Sequence, residues 1–175
     1  MKSIETKSYV KKAQRHDKDA FIELMQFYMK DMYRTAIAIL MNEEDAADAL
    51  QDTILTCWEK LATLRKPEFF KTWMTRILIN HCYDILRQNA VYETIEAYEE
   101  PSQCDEYNVE LKEAYASIDE RYRLPMELYY GQGFKLREIA EILSVPLNTI
   151  KTRVSRGRKE LEAYYRDCQE DQNVK

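Results

Sequence analysis

The chain has 175 residues, enough for one domain or two small ones. Apolar residues make up 45% of it while glycine occurs three times and proline four, a balance that favours packed helices over a turn-rich β fold. The net charge of −5 argues against nucleic acid only as a bulk property, because residues 91–114 hold eight acidic residues and one basic, leaving near-neutral flanks on which local clusters decide what binds.

The first twenty residues, MKSIETKSYVKKAQRHDKDA, contain no apolar run and do not read as a signal peptide. From there the apolar spacing is helical: Phe21, Leu24, Met25, Tyr28 and Met32 recur at three and four, as do Tyr33, Ala36, Ile37 and Leu40. Asn42 is a good N-cap for a second helix, and Glu43, Glu44 and Asp45 suit the positive end of its dipole. Its expected apolar stripe is Ala47, Leu50, Ile54, Cys57, Trp58 and Leu61, with Asp48, Asp52 and Glu59 on a polar side and Leu55 beside them. Pro67 suits the first turn of a third helix running to about Arg87. Phe70, Trp73, Met74, Ile77, Leu78 and Ile85 can pack inward there. Arg76, Asn80 and Asp84 recur every four residues as a polar stripe, flanked by Tyr83 and Arg87.

Residues 91–110 lose the helical period, carry Pro101 and concentrate acids, the composition of a self-repelling linker. Two all-α domains are therefore expected, 1–90 and 111–175, joined by that linker. In the second, Leu111 to Ile118 reads as a helix. Asp119 can cap another containing Pro125, which Gly131 and Gly133 end.

Residues 136–159, LREIAEILSVPLNTIKTRVSRGRK, have the pattern of a helix-turn-helix. A short helix with Ile139, Ala140, Ile142 and Leu143 breaks at Ser144-Val145-Pro146. A second helix follows, with Ile150, Val154 and Leu161 on its inner face. Ile150 lies ten residues after Ala140, the spacing that lets both helices share one core. The outer face carries Asn148, Thr149, Lys151, Thr152, Arg153, Ser155, Arg156, Arg158 and Lys159, with no acid from 147 to 159. Such a helix fits the major groove, where arginine reads guanine and Lys, Ser and Thr meet phosphates.

Other chemistries find little support. Cys57, Cys82, Cys104 and Cys168 lie far apart and read as reduced thiols, and two histidines are too few for a metal cluster. No nucleophile–base pair, phosphate loop or metal-ligand set is visible, so neither catalysis nor a cofactor is expected. The longest uncharged stretch is nine residues, Ile142 to Ile150, too short to span a membrane.

The segment RYRLPMELYYGQGFKLREIAEILSVPLNTIKTRVSRGRKELE resembles the C-terminal, −35-reading domain of extracytoplasmic-function sigma factors of the sigma-70 family. By that resemblance Asn148, Thr149, Lys151, Thr152, Arg153, Ser155 and Arg156 are the −35 contact candidates. EEDAADALQDTILTCWEKL is similar to the family segment that binds the clamp helices of the polymerase β′ subunit, making Asp48, Gln51, Asp52 and Leu55 the candidates there. EFFKTWMTRILINHCYDILRQ resembles the segment that melts and reads the −10 element, assigning Arg76, Asn80, Tyr83, Asp84 and Arg87 to it; the resemblance puts the pocket for an extruded base in the preceding loop, Thr63-Leu64-Arg65-Lys66-Pro67, with Arg65 and Lys66 as phosphate contacts. Trp73 reads as core first and stacking surface second.

The reduced cysteines point to a cytoplasmic location, and the resemblance implies core RNA polymerase and promoter DNA as partners together with an inhibitory anti-sigma factor, usually membrane-tethered. Three departures stand out: Ile118-Asp119 replaces a common Leu-Pro start, Lys135 stands where a Ser or Thr cap is usual, and Ser144 replaces the turn glycine. Two rival readings are a dimeric one-component helix-turn-helix regulator with a ligand pocket, and a helical protein–protein adaptor.

Overall fold

The computed structural model describes residues 3–92 and 106–172, with side chains over 6–90 and 111–166. The chain separates into two compact units, Met1–Ala97 and Tyr98–Lys175. Every regular element among the described residues is helical. The central part of the expected acidic linker, 93–105, lies outside the described residues. At its edges helix continues: one runs to Tyr92 and the next begins at Glu106, so residues 91–92 and 106–110 are helical and not loop.

The N-terminal unit contains α1 (Ser3–Ala13), α2 (Lys18–Leu40), α3 (Glu43–Lys60) and α4 (Phe70–Tyr92). Short 3-10 turns at Leu61–Thr63 and Pro67–Phe69 lie between α3 and α4. Asp17 starts α2, its carboxylate accepting from the Ala20 N–H at 3.0 Å. Asn42 starts α3, its side-chain oxygen accepting from the Asp45 N–H at 3.1 Å. The α2–α3 corner turns through Met41 at φ 55, a left-handed conformation more often given to glycine. α2 contributes Leu24, Met32, Ala36 and Ile37 to the core, and α4 contributes Phe70, Met74, Leu78 and Cys82. Asn89 near the end of α4 donates to Asp45 at 2.9 Å, tying it to the start of α3.

The sequence expectation missed α1, although Val10 and Ala13 are fully part of the core. With few apolar residues, α1 buries only a narrow edge, too little to show as a run in the sequence. In α3 the buried stripe is rotated from the expected one. Ala46, Ala49, Leu50, Thr53 and Cys57 face inward, Ala47 is exposed, and Ile54 and Trp58 are half-buried. Alanine fits either face, so it gave no directional signal. Thr53 can enter the core because its hydroxyl donates to the Ala49 carbonyl at 2.6 Å. In α4, Ile79 and Cys82 are buried while Trp73, Ile77 and Ile85 are half-buried. Burial pushes the Cys57 and Cys82 thiols up to about 12.

The C-terminal unit contains α5 (Glu106–Ala116), α6 (Glu120–Met126), a π-helical turn (Glu127–Gly131), α7 (Leu136–Leu143) and α8 (Leu147–Gln172). Asp119 caps α6 through the Arg121 N–H at 3.0 Å. The Arg121 guanidinium also holds the Asp119 carboxyl well below the usual carboxylate range. Pro125 sits inside α6 without the N–H that an α-helix needs, and the wider π turn follows directly. Gly133, at φ 72, takes the chain out of that turn.

Candidate nucleic-acid and polymerase interfaces

The helix-turn-helix is built by α7 and α8. The expected cap at Lys135 is indeed missing as a side-chain acceptor, but the opposite half of a capping box replaces it: the Glu138 carboxylate accepts from the Lys135 N–H at 2.7 Å. Ser144 ends α7 in the left-handed region, at φ 53 and ψ 41, which an L side chain adopts at a cost of roughly 1 kcal/mol. Val145 donates its N–H to the Ala140 carbonyl at 3.0 Å, closing the turn before Pro146.

On α8, Ile150, Val154 and Gly157 are buried. Asn148, Lys151, Thr152, Ser155 and Arg156 are exposed, and Thr149 and Arg153 are half-exposed. All seven −35 candidates are therefore reachable on one helix. Thr152 donates its hydroxyl to the Asn148 carbonyl at 2.9 Å, leaving its oxygen lone pairs outward. Arg158 is committed to Glu162 at 2.8 Å, one turn further on. That partner, together with Tyr130, raises its guanidinium further above its ordinary value. A cleft of about 330 Å³ opens beside this face, lined by Tyr129, Tyr130, Leu136, Lys151, Arg158 and Glu162 among others. Its lining mixes the rings of Tyr129 and Tyr130 and the side chain of Leu136 with the charges of Lys151, Arg158 and Glu162.

Three features of this unit escaped the sequence reading. Gly157 sits where α8 crosses α6: a Cβ there would lie 2.7 Å from Met126 Cγ and 2.9 Å from Tyr122 Cβ. A glycine inside a basic helical run was the available signal. Glu127 is buried in the π turn, where the Tyr115 hydroxyl donates to its carboxylate. Glu160, just past the basic face, accepts from the Asp119 N–H at 2.8 Å and pins α8 to the start of α6.

In the N-terminal unit, Asp48, Gln51, Asp52 and Leu55 all project from one exposed side of α3, Leu55 with 61% of its surface open. An aliphatic side chain this exposed between two carboxylates suits docking on a basic partner surface. On α4, Arg76, Asn80, Tyr83, Asp84 and Arg87 are all exposed. Asp84 pairs with Arg87, so the two form one net-neutral ion pair. Trp73 packs on Phe70 with ring centroids 6.0 Å apart and keeps part of its ring open.

Arg65 and Lys66 are exposed in the loop between the two 3-10 turns. The Lys66 ammonium lies 5.7 Å from the centre of the exposed Phe69 ring. No group of three or more His, Cys, Asp or Glu side chains able to hold a metal occurs among the described residues. No helix among them is long and apolar enough to cross a membrane.

Comparison with known proteins matches both parts. The family described as Sigma-70 region 2 matches residues 24–91, and Sigma-70, region 4 matches residues 108–161. The chain is 33% identical over 137 residues to the RNA polymerase sigma factor SigV of Bacillus subtilis, covering 75% of this chain and 82% of that protein. It is 26% identical over 181 residues to the ECF RNA polymerase sigma factor SigW of the same organism, covering 92% and 97%. Among solved structures it is similar in fold to CnrH in complex with the cytosolic domain of CnrY, with TM-score 0.71, 21% identity and coverage of 93% and 98%. It is likewise similar to the sigma factor RpoE bound to the anti-sigma factor NepR from Bartonella quintana, with TM-score 0.70, 23% identity and coverage of 83% and 96%. The chain belongs to the extracytoplasmic-function group of the sigma-70 family, alternative sigma factors that bind core RNA polymerase, recognise promoters and start transcription.

Proposed function

We propose a division of labour between the two units of this sigma factor. The N-terminal unit grips the polymerase clamp through Asp48, Gln51, Asp52 and Leu55. Its α4 face, Arg76, Asn80, Tyr83, Asp84 and Arg87, holds an unstacked −10 strand, the preceding loop of residues 63–67 receives an extruded base, and Arg65 and Lys66 meet phosphates from that loop. Flat rings, polar edges and cations together are what capture of a separated strand needs. The C-terminal unit lays α8 in the −35 major groove, with Asn148, Thr149, Lys151, Thr152, Arg153, Ser155 and Arg156 toward bases and phosphates.

The observation that carries this reading is the sidedness of α8. Its cationic residues face outward over residues 147–159 while Ile150, Val154 and Gly157 are buried behind them. The chain performs no covalent chemistry of its own. It works in the cytoplasm, where promoter and polymerase are. An anti-sigma factor restrains it, as NepR is bound to the Bartonella quintana factor.

Transcription by core polymerase from templates randomised at both promoter elements tests the assignments. Arg156→Ala is expected to weaken base preference in the −35 element about tenfold, the scale of one arginine–guanine contact, with core affinity unchanged. Leu55→Glu is expected to lower core affinity about 30-fold, the effect of losing a central interface anchor, with promoter preference unchanged. A holoenzyme carrying the Arg156→Ala chain with intact −35 preference overturns the α8 assignment.

A further inference from the structure

We infer that Gln14 is a positioning residue for the −10 loop: its side-chain amide fixes the backbone from which Arg65 and Lys66 project. Gln14 follows α1 and lies outside the stretch that matches region 2. Its Nε2 donates to the Leu61 carbonyl at 3.1 Å and to the Leu64 carbonyl at 2.7 Å, about fifty residues away in sequence. One amide nitrogen thus donates to two carbonyls just past the end of α3, where the chain has left its helical ladder.

The second bond matters most. The Leu64 carbonyl belongs to the same rigid peptide plane as the Arg65 N–H. Holding that oxygen sets the direction in which the chain leaves for Arg65 and Lys66. Leu61 and Leu64 are themselves buried, so the loop has fixed feet and an exposed crown. The Leu64 N–H also donates to the Leu61 carbonyl at 3.1 Å, and the Thr63 hydroxyl donates to the Lys60 carbonyl at 2.7 Å. These bonds close the loop locally, whereas Gln14 alone of these groups reaches it from another part of the chain.

The brace is itself anchored. Val10 and Ala13 are buried, and the Gln14 N–H donates to the Val10 carbonyl at 2.9 Å. His16 then turns the chain at φ 66, with its ring edge-on to Trp58 of α3 at 6.1 Å. A further contact between α1 and the loop's far side, Lys7 to Glu68 at 3.9 Å, is half-exposed and adds little. α1 also packs against the 3-10 turn at Pro67–Phe69, but Gln14 is what holds the Leu64 carbonyl directly before Arg65. Its positioning role rests on the proposed role of the loop in reading the −10 element.

The test uses holoenzyme assembled from core polymerase and the full chain, transcribing a pool of templates randomised at the −10 and −35 elements. Base preference is a ratio between templates, so it does not change if part of the protein is inactive. Gln14→Met removes both donors, and Gln14→Glu keeps the shape but sets acceptors against carbonyls. Both are expected to flatten −10 preference about tenfold while −35 preference stays at the wild-type ratio. Gln14→Lys, which keeps a donor of similar reach, is expected to retain −10 preference. Intact −10 preference in Gln14→Met and Gln14→Glu overturns the brace, as does equal loss in Gln14→Lys. Arg65→Ala with Lys66→Ala, read by binding of the holoenzyme to a single −10 strand because phosphate contacts carry no base preference, separates the two levels. If that double variant binds the strand about tenfold more weakly and the Gln14 variants keep −10 preference, only the brace fails. If it binds the strand as the wild type does, the reading of the loop fails and takes the brace with it.

Discussion

The two units present their binding surfaces in different ways. In the C-terminal unit all seven −35 candidates sit on α8, within nine consecutive positions. In the N-terminal unit the candidate −10 surface joins α4 to a loop whose backbone is held by Gln14, fifty positions upstream of Leu64. A surface carried by one helix depends on that helix's periodicity and on whatever packs behind it. A surface assembled from separate segments depends on the tertiary structure staying closed. The difference separates where each unit is vulnerable: the N-terminal one through its core, the C-terminal one through a single helix crossing and a single turn.

The largest expected effect is alkaline opening of the N-terminal unit. Cys57 and Cys82 are both fully buried there, on α3 and α4. In the unfolded chain a thiol releases its proton near 9, but burial holds these two to about 12. Between those values the unfolded chain binds fewer protons than the folded one, so stability falls as pH rises. Each pH unit in that window removes up to about 1 kcal/mol per thiol, so the two together across the whole window approach the lower range of small-domain stability. Hydrogen exchange read by peptide at pH 8 and pH 10.5 is expected to show α3 and α4 deprotected before α7 and α8. The reverse order breaks the contrast between the units.

A smaller effect is expected at the crossing of α6 and α8. Gly157→Val places a branched side chain where even a Cβ meets Met126 and Tyr122 well inside contact distance. The Tyr122 atom is itself a Cβ, which cannot swing away. Overpacking of this kind costs about 3 kcal/mol. Thermal melting is expected to show loss of the C-terminal transition with the N-terminal one retained, and −35 binding is expected to fall with it. An unchanged melt means that α6 and α8 can separate without penalty.

How much could be read beforehand follows the same division. The α8 face was legible because one-signed charge, a break at Ser144-Val145-Pro146 and the inner residues Ile150 and Val154 all fell within one window. The exposed side of α3 was less legible: Asp48, Asp52 and Leu55 lie three and four apart, which a plain solvated face also shows, and Gln51 was singled out only by the family resemblance. α1 was not, because Val10 and Ala13 alone do not make a periodic stripe. The Gln14 bonds could not be found at all, since nothing in a glutamine's local surroundings tells which distant carbonyls it will meet. Inward-facing polar residues also defeat pattern reading: Thr53 and Glu127 are buried because Ala49 and Tyr115 offer partners, which only the fold reveals. Alanine is ambiguous in the opposite sense, and Ala46 and Ala47 exchanged the faces expected of them.

The smallest effect concerns the turns. With only three glycines in the chain, His16, Met41 and Ser144 occupy left-handed positions that glycine fills more cheaply. Ser144 is exposed, so replacing it removes no core contact. Ser144→Gly relieves the strained φ of 53 but also makes the unfolded chain more flexible, and the two terms partly cancel. A net gain of about 0.5 kcal/mol is expected in the C-terminal unit, read as a rise of a few degrees in its melting temperature. His16→Gly relieves a similar strain but loses the ring contact with Trp58, so no gain is expected there. If both substitutions stabilise equally, the His16–Trp58 contact contributes nothing, and the turn that leads from Gln14 into α2 is held by its backbone hydrogen bonds and the Asp17 cap.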